Sequence, residues 1–209
     1  MKKKNKMPWA LSNNMQKWQK TIVVFGVVIT LALLVRRAKA EDIAYRQLLV
    51  KDLTGKLPRG KGKSYEKRAL EQIDRIVIHH SATNDGSPEA YALYHVETRG
   101  WPGIGYHFVI QKDGGIYQTN RLETISYHVS GQNTNSIGIC LTGNYDQQQP
   151  PIAQLQACAQ LIASLRQNFV QELTLRAHAD FSAKSCPGKN INLEEIGRLA
   201  AAYATPLSA

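Results

Sequence analysis

Residues of the kinds that hold metal ions stand at the ends of apolar runs in this 209-residue chain. His79 and His80 close RIVIHH, His178 closes LTLRAH, and Cys186 follows eight residues after His178 in FSAKSCPG. Read as strands, the two runs deliver their last side chains to one mouth, and the loop after His178 can fold back to bring Cys186 beside it. Strand alternation puts His79 and His80 on opposite faces, so only one of them can face a shared ion. Two neutral imidazoles and a thiolate make an N, N, S set with a fourth tetrahedral position left for water, the arrangement of a catalytic zinc rather than a structural one. The spacing alone leaves a second reading open, because a free cysteine before a proline is also an ordinary small buried hydrophobe.

The elements that must position these residues follow from the pattern. DRIVIHHSAT is β-rich, with Ser81 to Pro88 as the loop after it. SPEAYALYHVETRG opens with an N-cap serine, a proline at the first helical position and an acid in the first turn, and ends at Gly100, which predicts a helix. IGYHFVIQ and GIYQTN flank Asp113-Gly114-Gly115 as a hairpin. NSIGICLTG reads as a buried strand, PIAQLQACAQLIASLRQNF as a long amphipathic helix, and LEEIGRLAAAYA as a terminal helix. Strands interleaved with helices predict an α/β domain over residues 73–204, a mixed central sheet flanked by helices.

Four blocks, in order, carry a resemblance: IVIHHSAT, GWPGIGYHFVIQKDG, YHVSGQNTNSIGICLTG and RAHADFSAKSCPG. Together they resemble the zinc-dependent N-acetylmuramoyl-L-alanine amidases, in particular the bacteriophage lysozyme-type amidases and the peptidoglycan recognition proteins. The resemblance covers about residues 73–200 and does not extend to residues 1–72. It implies that His79, His178 and Cys186 are the zinc ligands and that Tyr106 and Lys184 are catalytic. It also implies that His128, Asn133 and Ser136, in the H-x-x-G-x-N-x-x-S-I-G block, line the substrate groove. In the branch that recycles anhydro-muropeptides in the cytoplasm, an acid follows the S-I-G-I element and an aspartate replaces the ligand cysteine. Here those positions are Cys140 and Cys186, so the resemblance is to the wall-cleaving members.

The implied reaction is hydrolysis of the amide between N-acetylmuramic acid and L-alanine by a zinc-activated water. Lys184 would bring a cation and Tyr106 a hydroxyl donor to the oxyanion. No carboxylate stands out as the base, so Tyr106, Lys184 or the zinc hydroxide must share the proton transfers. A binding module that keeps the groove without the chemistry, and a phage endolysin, are the alternatives; Cys186 together with Tyr106 favours the enzyme. The other candidates have plainer roles: His107 structural, His95 partly exposed or core, Trp101 packing, and Cys140 and Cys158 core.

Charge divides the chain. Residues 1–63 hold 15 Lys and Arg against Glu41, Asp42 and Asp52, whereas residues 64–209 hold 11 against 13 acids. The folded part is therefore slightly acidic, which argues against nucleic-acid binding. Three cysteines cannot all pair, which argues against a disulfide framework. Residues 1–20 form a basic segment, 21–35 an uncharged apolar run, and 36–72 a basic linker expected to be extended and mobile. The run, with Lys17 and Lys20 before it and Arg36 and Arg37 after it, reads as a single transmembrane helix or as a signal helix cleaved near Ala38-Lys39-Ala40. The first reading anchors the domain in the cytoplasmic membrane on its extracytoplasmic (periplasmic) side; the second has it secreted. The partners implied are peptidoglycan and the membrane, with no nucleic acid.

Overall fold

The computed structural model describes residues 48–204. The basic segment at 1–20, the anchor or signal helix at 21–35 and the first part of the linker lie outside the described residues. Among the described residues no helix is long and apolar enough to cross a membrane.

Six strands form one mixed sheet: β1 (Val50–Asp52), β2 (Arg75–His80), β3 (Phe108–Ile110), β4 (Ile116–Gln118), β5 (Ser136–Leu141) and β6 (Thr174–Ala177). Their order is β1-β4-β3-β5-β2-β6. Only the β3–β4 hairpin is antiparallel; every other pairing is parallel. The central strands are buried on both faces, which is why RIVIHH and SIGICL read as continuous rather than alternating runs. Ile76, Ile78, Ile137, Ile139 and Leu141 share one core with α2 (Ile152–Asn168) and α3 (Leu193–Ala204). Val109 and Cys140 belong to a second, smaller core with Leu53, Leu57, Tyr91, Ala92 and Ile104. Alternation along β2 therefore sends Ile76 and Ile78 to the helical layer and Val77 and His79 to the opposite face.

α1 (Pro88–Leu93) covers that second face. Its start follows the expectation, with Ser87 Oγ accepting from the Ala90 N–H at 3.2 Å and Pro88 in the first turn. The helical path to Gly100 is not uniform: residues Tyr94–Thr98 widen into a π-turn before Gly100 takes a positive φ of 66°. The wide turn leaves His95 buried, where its Nδ1 accepts the Gly105 N–H at 3.1 Å and its ring stacks on Trp101.

Residues 48–72 correct the linker expectation. β1 pairs with β4, and Leu53, Leu57 and Tyr65 are buried. Tyr65 donates its hydroxyl to the Gly103 carbonyl at 2.7 Å, and Lys63 Nζ donates to the Gly100 carbonyl at 2.6 Å. Arg68 is 5 % exposed and donates to the carbonyls of Leu122, Asn133, Thr134 and Ser136. Glycine, proline and lysine in this segment solvate its outer side while a few spaced apolar residues hold the inner side to the domain.

Candidate functional site

The site is assembled at the C-terminal ends of β2 and β6. Ile78 pairs with Ala177, so the residues that follow, His79 and His178, emerge side by side. Their ring centroids are 4.6 Å apart. Cys186 arrives from the loop after β6, held by a 2.7 Å bond from the Ala179 N–H to the Cys186 carbonyl. One ligand atom from each of His79, His178 and Cys186 lies within 4.8 Å of the others. With metal–nitrogen and metal–sulfur bonds of about 2.0 and 2.3 Å at a tetrahedral angle, nitrogen and sulfur sit roughly 3.6 Å apart. Cys186 Sγ is 3.7 Å from His79 Nδ1, so this pair fits a metal ion without rearrangement.

The electrostatics agree with a ligand set. Burial, reinforced by His128 and His178, holds the His79 imidazole well below its ordinary pKa, and burial lowers His178 as well. Both rings are therefore neutral near pH 7, the form that coordinates. Burial pushes the Cys186 thiol up to about 11, against the backbone N–H of His80 and the charge of Lys184, which pull it down. A cation at this point would reverse that balance and take the thiolate.

The triad opens into a cleft of about 790 Å³. Tyr106 lies on its wall with its ring 5.4 Å from that of His79. Its backbone is held from behind, where Thr119 Oγ1 and Asn120 Nδ2 each donate to the Tyr106 carbonyl at 2.7 Å. Burial and the nearby Cys140 and Cys186 sulfurs raise the Tyr106 hydroxyl well above its usual range, so it remains a donor at any physiological pH. Lys184 is exposed at the cleft and close enough to depress both histidine ligands.

Of the three residues expected in the groove, His128 reaches the cleft, while Asn133 and Ser136 do not line it. His128 Nδ1 is 3.1 Å from His79 Nε2, Ser136 is fully buried behind it, and Asn133 accepts from the His128 and Val129 N–H groups. The expected split of His79 and His80 is present: His80 turns to the other face and accepts the Tyr145 N–H. His107 is structural, with Nδ1 accepting from Gly138 and Nε2 facing the Thr124 carbonyl. Trp101 packs on His95 and Tyr127 and also lines the cleft. Asp146, which no spacing singled out, accepts from Ser185 Oγ at 2.6 Å and from the Lys189 N–H at 3.1 Å, tying down the loop that carries Cys186.

Comparison with known proteins follows the same lines. The family described as N-acetylmuramoyl-L-alanine amidase matches residues 69–189. The endolysin of Escherichia phage T7 is 35% identical over 126 residues, 56% of this chain and 82% of the phage protein. Peptidoglycan-recognition protein SC2 of Drosophila melanogaster is 30% identical over 142 residues, 63% of this chain and 77% of that protein. Among solved structures, the N-acetylmuramoyl-L-alanine amidase LysC from Clostridium intestinale URNW superposes with a TM-score of 0.61 at 28% identity, covering 72% of this chain and 95% of its own.

Proposed function

Because the chain belongs to the N-acetylmuramoyl-L-alanine amidase family, we propose that it hydrolyses the amide between N-acetylmuramic acid and L-alanine in peptidoglycan, with zinc held by His79, His178 and Cys186. One observation carries the reading: two histidines and a cysteine from separate segments converge in a cleft that also presents Tyr106 and Lys184. Zinc bound there supplies Lewis acidity, polarising the scissile carbonyl and activating a water near neutral pH.

The rest falls to the chain. Tyr106, kept protonated by its surroundings, donates its O–H toward the oxygen on which charge develops, and Lys184 adds a full positive charge at the same mouth. Both carboxylates of the cleft are engaged elsewhere, Asp85 with Lys112 and Asp146 with Ser185 and Lys189. Proton movement from water to leaving nitrogen is thus left to Tyr106, Lys184 and the activated water itself. The aromatic faces of Tyr94, Trp101 and Tyr127 give the substrate an apolar wall.

The domain works on the outer side of the cytoplasmic membrane in this reading, anchored by residues 21–35. The support is the uncharged run between basic flanks and a substrate that lies outside the membrane. Recovery of the full-length chain from membranes, with the domain open to added protease in spheroplasts, is the expected outcome; a soluble cytoplasmic chain contradicts it. For the activity, the full-length protein is loaded with zinc, incubated with purified peptidoglycan, and the products are weighed by mass spectrometry. Stem peptides with a free L-alanine amine are expected. Their absence, where a reference amidase releases them, overturns the proposal.

A further inference from the structure

We propose that Ser136 and His128 are positioning residues that lock His79 as its Nε2–H tautomer, so that the bare Nδ1 is the atom offered to the metal. The direction of the hydrogen bonds follows from a fixed starting point. Ser136 Oγ is 2.6 Å from the Gln132 carbonyl, which has no hydrogen to give, so the serine hydroxyl donates there. Its oxygen, 3.2 Å from His128 Nε2, can then only accept, which puts the His128 proton on Nε2. A neutral imidazole carries one proton, so His128 Nδ1 is bare and accepts from His79 Nε2 at 3.1 Å. His79 is thereby left with a lone pair on Nδ1, which faces Cys186 Sγ at 3.7 Å.

The surrounding residues hold this chain in register. Asn133 Oδ1 accepts the N–H groups of His128 and Val129 at 3.0 and 2.8 Å, fixing the backbone from which the His128 ring projects. Arg75 Nη1 grips the Gln132 side chain at 2.6 Å. Gly138 is glycine because a Cβ there would sit 2.6 Å from His128 Cγ and within 2.9 Å of its Nδ1 and Cδ2, against the face of the ring. The block His128, Asn133, Ser136 and Gly138 is thus a support behind His79, of which His128 alone also reaches the cleft. Partners that orient metal-bound histidines in this way commonly contribute 10- to 100-fold, roughly, in metal affinity.

The inference rests on the metal reading above, and its test separates the two. Full-length protein labelled with 15N at histidine is stripped of metal, and its ring nitrogens are assigned from long-range 1H–15N spectra. Nε2–H tautomers are expected at both His79 and His128, and added zinc is expected to shift Nδ1 of His79. Zinc affinity, measured by competition with a chromophoric chelator, is expected to fall about tenfold or more in Ser136→Ala and His128→Ala. It recovers in His128→Asn, whose Oδ1 stands where Nδ1 stood. An Nδ1–H tautomer at His79, zinc on Nε2, or parental affinity in both alanine variants overturns the inference even when the parent binds zinc. A parent that binds no zinc while showing the stated tautomers overturns the metal reading and leaves the hydrogen-bond chain in place.

Discussion

Ser185 donates to Asp146 at 2.6 Å, joining the loop that carries Cys186 to the turn after β5. The same carboxylate takes the Lys189 N–H, so one side chain spans both sides of the ligand cysteine. These two bonds also hold the Asp146 carboxyl below its ordinary pKa, with His80 and Lys189 nearby. A loop without this clasp samples positions in which Cys186 is out of reach of His79. Asp146→Ala is therefore expected to weaken zinc binding by roughly 10- to 100-fold, measured by chelator competition, with a smaller loss in Ser185→Ala. Unchanged affinity in Asp146→Ala would show that the loop is held by its backbone alone.

Tyr106→Phe keeps the ring and removes only the donor. Its packing near His79 and its carbonyl bonds to Thr119 and Asn120 do not involve the hydroxyl. The expected result is a kcat lower by about 10² or more at unchanged zinc content. Equal losses in zinc affinity and kcat would instead assign Tyr106 to building the site.

Acid sensitivity follows from the buried imidazoles. His95 is held at about 4 by burial and by Arg99, and His107 is held well below its ordinary value by burial and Arg68. An unfolded histidine takes up its proton near pH 6.5, while these two in the folded chain do not. Their contribution is whole above pH 6.5 and is lost as pH falls, for His95 down to about 4. Thermal unfolding in excess chelator, which removes metal release from the signal, should show Tm dropping between pH 7 and 5. His95→Gln, with no group to titrate, should flatten that slope; an identical slope contradicts the assignment.

Arg68 ties four carbonyls, three in the connection between β4 and β5 and one at the start of β5, to the start of the domain. Arg68→Ala leaves those acceptors without their donor inside the protein, each at a cost of the order of 1–3 kcal/mol. A loss of about 3 kcal/mol or more is expected in urea unfolding of the full-length chain. A shift within 0.5 kcal/mol, roughly the size of an exposed substitution, would mean the segment before β2 is dispensable.

What could be read from the residues divides along physical lines. His79 and His178 stand at the ends of β2, a continuous apolar run, and β6, an alternating one, and Cys186 on the loop after β6, so their convergence follows from two elements and a loop. β1 was not legible, because three residues, Val50–Asp52, on a sheet edge carry no period. Leu53, Leu57 and Tyr65 are separated by glycine, proline and lysine, and their burial depends on distant carbonyls such as that of Gly103. Arg68 breaks the usual rule that arginine is exposed, since its carbonyl partners lie more than 50 positions away. The motif picks out Asn133 and Ser136 but does not say what they touch: their hydrogen bonds run to backbone and to His128, which residue spacing does not encode.

The central claim is that His79, His178 and Cys186 hold one metal ion. Metal analysis of the full-length chain and of Cys186→Ser, each refolded with zinc and dialysed, tests it most directly. One zinc ion per chain in the parent and almost none in the variant is the predicted result. Zinc absent from the parent, or equal in both proteins, would contradict it.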